Sequence, residues 1–363
     1  MMNILIGRAK SGKSDTVLRR IAALGDGGRQ ILLVPEHASH LAEVDLCRAC
    51  GPTASRHAEV LSFRRLADRV LALTGGSADV TLDAGGKLLT LQKALLEVAP
   101  ELTVYRRPSQ KPAFLQQLLG LFDELRCYEV TPETLYEASS AIHSATGEKL
   151  RDLSLLFAAY EARLCRPGFD ARDKMTRLCD QLDASLYAAG KDIFLDGFTY
   201  FNAQERRVLE ILLRQANSVT VTLMGEPNSR EEIFASTLKT MAQLRRLAKD
   251  AAVEVQVEVL NAEDPTALGH LERHFFGKNV PFEGDGSAIR LRQADCVYTE
   301  VEQTAADILR LTAAGKCRYR DITVSARNMG DYMATIETVF ERYGIPVYLS
   351  RRSDILEKPV LSC

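Results

Sequence analysis

No run of apolar residues in this 363-residue chain approaches the length of a bilayer span, which excludes an integral helical membrane protein. The amino terminus enters a strand-like run and lacks the residue series of a signal peptide, so the reading is cytoplasmic and membrane-free. Charge of one sign is missing too: 46 Lys and Arg stand against 48 Asp and Glu, a net charge of -2. A polyanion site must therefore be a local groove and not the whole surface. Eight cysteines are scattered without the framework of a disulfide scaffold, and free thiols account for them most simply. Cys47-x-x-Cys50, with His37, His40 and His57 nearby, lacks the second well-spaced ligand pair of a structural zinc site and falls in a stretch that reads as helical.

What the chain does have begins at residue 7. Gly7-Arg8-Ala9-Lys10-Ser11-Gly12-Lys13-Ser14 spell G-x-x-x-x-G-K-[ST] directly after the apolar run Ile4-Leu5-Ile6. Glycines let such a loop curl so that successive N–H groups face a polyphosphate, Lys13 reaches the β and γ phosphates, and the Ser14 hydroxyl ligates magnesium. A helix over Asp15 to Leu24, a turn at 25–28 and a second apolar run, Ile31 to Val34, complete a strand-loop-helix-strand unit. A helix starting near Ser14 turns its positive dipole end toward the same anion. The alternative is a glycine-rich turn with no ligand.

A third strand is expected at Ala58 to Leu61. Ser62 then caps a helix whose Phe63, Leu66, Ala67, Val70 and Leu71 share a buried face. Arg64, Arg65 and Arg69 read either as a solvated helix face or as contacts to a DNA backbone. From Leu82 to about Leu186 the periodicity is 3.6 with hardly any strand signal, which predicts an all-helical insertion. Its basic loop, Tyr105 to Pro112, either joins helices or touches nucleic acid.

The α/β pattern returns at Asp192 to Phe198. Asp196, at the end of that strand, reads as a magnesium residue acting partly through water, on the premise that its strand lies beside the phosphate loop; the alternative is a turn aspartate before glycine. Many ATPases place a glutamate directly after this aspartate to activate water, and here Gly197 stands instead. Glu205, on the following helix, is the nearest substitute, and no catalytic residue is assigned with certainty. Strands follow at Ser218 to Leu223 and Val253 to Val259, separated by a helix over Glu231 to Ala248, and Asn279 to Ser287 reads as a linker. A second α/β unit then opens, with strands at Ile289 to Ala294, Ile322 to Ser325 and Pro346 to Leu349. The chain stops with that unit only begun, and reads as an amino-terminal fragment.

In order and spacing, the loop, Leu33-Val34-Pro35-Glu36, Glu59-Val60-Leu61-Ser62-Phe63, Leu195-Asp196-Gly197-Phe198, Thr299-Glu300-Val301-Glu302 and Tyr319-Arg320-Asp321-Ile322 resemble the amino-terminal half of superfamily 1 helicases. More narrowly, they resemble the AddB family, the helicase-like and nuclease subunits of bacterial AddAB recombination complexes. The resemblance implies an α/β P-loop NTPase fold. Residues 1–82 and 188–280 would form a first RecA-like domain with a parallel sheet, 83–187 a helical insertion, and 288–363 the beginning of a second RecA-like domain.

It further implies ATP and Mg2+ as cofactors. Gly7 through Ser14 and Arg327 would serve the nucleotide, Ser14 and Asp196 the metal. Ser62 and Phe63 would meet single-stranded DNA, with Arg64 and Arg65 beside them. The implied partners are an AddA-type helicase-nuclease subunit and single- and double-stranded DNA; the nuclease and its iron-sulphur cysteines belong to a carboxyl-terminal part outside this chain. No adenine-recognising glutamine segment precedes Gly7, and Gly197 replaces the catalytic glutamate. Both departures imply a weak or inactive motor that scans the unwound strand while double-strand ends are processed. Two other classes compete: a phosphotransferase built on the same loop, and a DNA-binding scaffold whose loop no longer holds nucleotide.

Overall fold

Short apolar runs, each bounded by a turn and a helix, line up into one sheet. A computed structural model describes the chain except for residues 28, 76–81, 107–110, 167–168, 171–172, 230, 262–263, 278 and 350–363. It separates into two units, Met1–Pro281 and Phe282–Cys363.

In the first unit β1 (Met2–Gly7) leads through the glycine-rich loop to α1 (Lys13–Leu24), then β2 (Gln30–Leu33), α2 (Ser39–Cys50), α3 (Ala54–His57), β3 (Ala58–Leu61) and α4 (Phe63–Thr74). A helical block follows: α5 (Ala84–Val98), α6 (Pro112–Cys127), α7 (Pro132–Ala141) and α8 (Ala145–Leu164). Two-residue strands β4 (Cys165–Arg166) and β5 (Phe169–Asp170) pair antiparallel before α9 (Lys174–Ser185). The chain then returns to the sheet as β6 (Asp192–Leu195), α10 (Ala203–Gln215), β7 (Ser218–Met224), α11 (Ala235–Asp250), β8 (Val255–Val259) and α12 (Ala267–His274).

The six long strands run in the order β3-β2-β6-β7-β1-β8, and every neighbouring pair is parallel. Alternate residues serve opposite faces, as strand geometry requires. Ile4 and Ile6 join Leu66, Leu212 and Leu244 on one face, while Leu5, Leu32 and Phe194 meet Val17, Ile21 and Leu46 on the other. Burying each such side chain contributes about 1.5–3 kcal/mol, so both helical layers hold the sheet firmly. With both faces covered, the strands read as continuous apolar runs.

The expected insertion at 83–187 divides on burial. Helices α5 to α8 enclose their own core around Leu91, Phe122, Leu156, Phe157 and Tyr160, with the Phe122 and Phe157 rings stacked at 4.7 Å. Helix α9 instead gives Leu178, Cys179 and Leu182 to the sheet's core, so it belongs with the α/β layer.

The second unit departs further from expectation. It holds α13 (Val297–Ala313) and α14 (Met333–Arg342), packed through Val301, Ala305 and Ile308 against Ile336, Val339 and Phe340. None of the strands expected at 289–294, 322–325 and 346–349 forms a ladder among the described residues. A strand exists only where a neighbour takes up its N–H and C=O groups. Here Leu291 is 99% exposed, and the segments near Ile322 and Val347 line a cavity of 910 Å³ beside the two helices. Among the described residues no helix is long and apolar enough to cross a membrane.

Candidate nucleotide-binding site

At the carboxyl end of β1 the chain turns within a space too small for any side chain. A Cβ on Gly7 would overlap Ser11 Oγ and the Leu260 carbonyl oxygen. Lys10 (φ 57°) and Gly12 (φ 77°) both adopt left-handed backbone, free for glycine and costing about 1 kcal/mol for lysine. The curl ends with Gly12 as the amino-terminal cap of α1, and no side chain caps that helix. Its first N–H groups therefore face out of the protein's own hydrogen bonding, ready for an acceptor.

Lys13 is drawn into the curl. Its Nζ donates to the Gly7 carbonyl at 2.8 Å, the Arg8 carbonyl at 2.7 Å and Ser11 Oγ at 3.1 Å. Burial pulls its pKa below the ordinary lysine value, and the charges of Asp196 and Glu272 partly oppose that shift. Ala9, Lys10 and Ser14 are exposed, and Ser11 and Gly12 are half-buried.

Asp196 acts on Lys13 electrostatically, but not from a neighbouring strand. The premise that its strand lies beside the phosphate loop is corrected here: β7 stands between β6 and β1. Thr222 of that intervening strand is buried, donates from Oγ1 to Asp196 Oδ1 at 2.5 Å and accepts from the Gly197 N–H at 3.4 Å. Ser14 hydroxyl and Asp196 carboxylate are hard oxygen donors of the kind magnesium takes, in a site completed by water and substrate phosphates. Among the described residues, no three His, Cys, Asp or Glu side chains gather as a metal site of their own.

Two acidic positions read differently in three dimensions. Gly197 has φ 81°, a backbone a glutamate would hold only under strain. Glu205, the nearest substitute, is spent on a capping box: its carboxylate accepts from the Asn202 N–H at 2.9 Å, and its own N–H donates to Asn202 Oδ1 at 2.8 Å. Burial raises the Glu205 pKa, with the Asn202 N–H and Arg206 opposing.

Arg8, expected among the phosphate ligands, points elsewhere. Its guanidinium meets Glu226 at 2.9 Å, Glu272 at 3.2 Å and Glu231 at 3.5 Å. Arg327 is exposed on the second unit.

The expected DNA residues separate into buried and exposed pairs. Ser62 caps α4 by accepting from the Arg65 N–H at 3.2 Å and donates its hydroxyl to Glu36. Phe63 is 5% exposed, edge-on to Phe198 at 5.5 Å and to Phe201 at 6.4 Å. The expectation that its ring stacks on a base is corrected, because both faces are covered by the core. Arg65 pairs with Glu43 at 2.9 Å, whereas Arg64 is exposed and has no ion pair among the described residues. Arg64 lies on the wall of an 800 Å³ cavity with Pro35, His37 and Thr199, faced by Lys87 and Arg126 of the helical block. Tyr200 lines the same cavity and is 63% exposed; the sequence reading passed over it.

A family model described as ADDB, N-terminal, matches residues 4–272. The chain belongs to the AddB amino-terminal family. It is 35% identical to the AddB-type ATP-dependent helicase/deoxyribonuclease subunit of Desulforudis audaxviator, over 99% of this chain and 33% of that protein. The corresponding proteins of Moorella thermoacetica and Bacillus mycoides, which carry the same name, are 34% and 30% identical, over 99% and 100% of this chain and again 33% of each relative. The chain thus spans about a third of the length of the AddB relatives it matches. The six-stranded parallel sheet with helices on both faces is the RecA-like α/β fold of this helicase-like family.

Proposed function

We propose that this chain is the nucleotide- and DNA-binding portion of an AddAB-type helicase-nuclease, working with an AddA-type partner on double-strand DNA ends. Its relatives are named as subunits of an ATP-dependent helicase/deoxyribonuclease, and the deoxyribonuclease would lie in the sequence they have beyond this match. The observation that supports nucleotide binding best is Lys13, whose ammonium group lies inside the loop's curl on the Gly7 and Arg8 carbonyls.

When ATP enters, Lys13 Nζ exchanges those carbonyls for β- and γ-phosphate oxygens, and the uncapped N–H groups of α1 take up the remaining acceptors. Magnesium, held by Ser14 and through water by Asp196, neutralises phosphate charge. Thr222 keeps the Asp196 carboxylate turned to one side by its hydrogen bond. No carboxylate follows Asp196, Gly197 holds a left-handed backbone, and Glu205 is engaged in its cap. Those three facts favour a weak or inactive motor over rapid hydrolysis.

DNA would be met through Arg64 and the exposed ring of Tyr200 at the mouth of their shared cavity, by backbone charge and base stacking. Titration with the fluorescent analogue mant-ATP tests the reading: magnesium-dependent binding lost in Lys13→Ala is the expected result. No binding at all would favour the scaffold, and phosphoryl transfer to a small acceptor would favour a phosphotransferase. Binding of a labelled oligonucleotide, weakening with salt, is expected when the AddA-type partner is present.

A further inference from the structure

Arg8 occupies a variable position of the phosphate loop, yet all its donors are taken by groups far along the chain. Nε donates to both carboxylate oxygens of Glu272 at 3.2 Å and Nη1 to Glu226 at 2.9 Å. Nη2 reaches the main-chain carbonyls of Glu272 at 3.1 Å and Arg273 at 3.4 Å, the last turn of α12. The guanidinium also sits 4.9 Å from the centre of the Phe234 ring, and the side chain is only 18% exposed. A cation against the carbonyl end of a helix is favourable in itself, and here the carboxylates add charge-assisted bonds.

The same stretch of chain grips the loop at other points. Leu260 N–H donates to the Ile6 carbonyl at 2.8 Å, and the Leu260 carbonyl fills the space beside Gly7. Lys10 lowers the pKa of Asp264, just ahead of α12, though less than the Thr266 bonds do. Turning Arg8 toward a phosphate would strand Glu226, Glu231 and Glu272 together without their cation, which like-charge repulsion opposes. Beyond α12 the chain continues into the second unit.

We propose that Arg8 is a positioning residue, a strut tying the phosphate loop to the carboxyl end of α12, so that loop occupancy and α12 order reinforce each other. The second half of that statement rests on the nucleotide reading above; the strut itself does not. Hydrogen exchange over residues 267–274 and mant-ATP affinity, measured in the 363-residue chain, test the two halves separately.

Without nucleotide, Arg8→Ala is expected to speed exchange across α12. With nucleotide, it weakens mant-ATP by about tenfold, the scale of one charge-assisted contact. Glu272→Gln shifts affinity in the same direction, the double variant is no worse than Arg8→Ala alone, and Arg8→Lys recovers part of the loss. Tighter mant-ATP binding in Glu272→Gln would overturn the proposal, since it would mean that the carboxylate competes with phosphate for Arg8. Unchanged α12 exchange in Arg8→Ala would overturn it as well. If the unaltered chain binds no mant-ATP, the nucleotide reading and the reciprocity fall together, and the exchange comparison alone still decides the strut.

Discussion

Two turns at the carboxyl edge of one sheet, after β1 and after β3, carry the residues a sequence reader marks first, and they use them in opposite ways. The turn after β1 leaves polar groups at the surface: α1 is uncapped and Ser14 exposed. The turn after β3 closes on itself, with Ser62 capping its own helix and Phe63 wedged between Phe198 and Phe201. The lesson is that a motif tells where the chain turns, while burial tells which side chains remain for a ligand. An uncapped helix start keeps its valence open, and a capped one does not.

The largest effect should come from the closed turn. Phe63→Ala is expected to cost about 3–5 kcal/mol of stability by leaving a cavity among three rings, read as a shift in the denaturation midpoint. Phe63→Leu should keep oligonucleotide binding near that of the unaltered chain; a large loss of DNA affinity without a loss of stability would return the ring to the DNA and break the comparison. Next comes the open turn: Lys13→Ala should weaken magnesium-dependent mant-ATP binding by roughly a hundredfold with the fold intact, as circular dichroism would report.

Smaller effects sharpen the contrast between caps and ligands. Asn202→Ala should cost about 1 kcal/mol by opening the capping box with Glu205, and it should leave ATP turnover unchanged in a sensitive phosphate-release assay. A fall in turnover would give Glu205 the water-activating role that its geometry argues against. Arg64→Ala should lower the salt slope of oligonucleotide binding by about one unit, the share of a single phosphate contact. No change in that slope would remove Arg64 from the DNA path.

Much of the first unit was legible because its strands are short apolar runs ended by glycine, proline or acidic turns. Ile4 to Ile6, Ile31 to Val34 and Val219 to Leu223 are all such runs, and all sit in the sheet. Their spatial order was not legible, since parallel pairing joins residues hundreds of positions apart. Nothing local around Asp196 reveals that β7 separates it from the loop. The second unit shows the limit of the same method: Ile322 to Ser325 has the composition of a strand and no ladder partner among the described residues.

Side chains divide along the same line. The capping box Asn202-x-x-Glu205 was written in the sequence and signalled a structural glutamate. Arg8 gave no such sign, because its carboxylates lie more than two hundred residues away at Glu226, Glu231 and Glu272. Among Phe198, Tyr200 and Phe201, only packing reveals that the tyrosine is the ring left outside.

The place of β1 has a consequence for how the molecule is made. Met2 pairs with Val219 on one side and Val255 on the other. At roughly 5–20 residues per second, a ribosome takes on the order of ten seconds or more to supply even the first of those neighbours. Throughout that interval the most apolar strand of the protein is synthesised, waiting and unpaired. Its docking late in translation makes completion of the sheet and formation of the phosphate loop a single event.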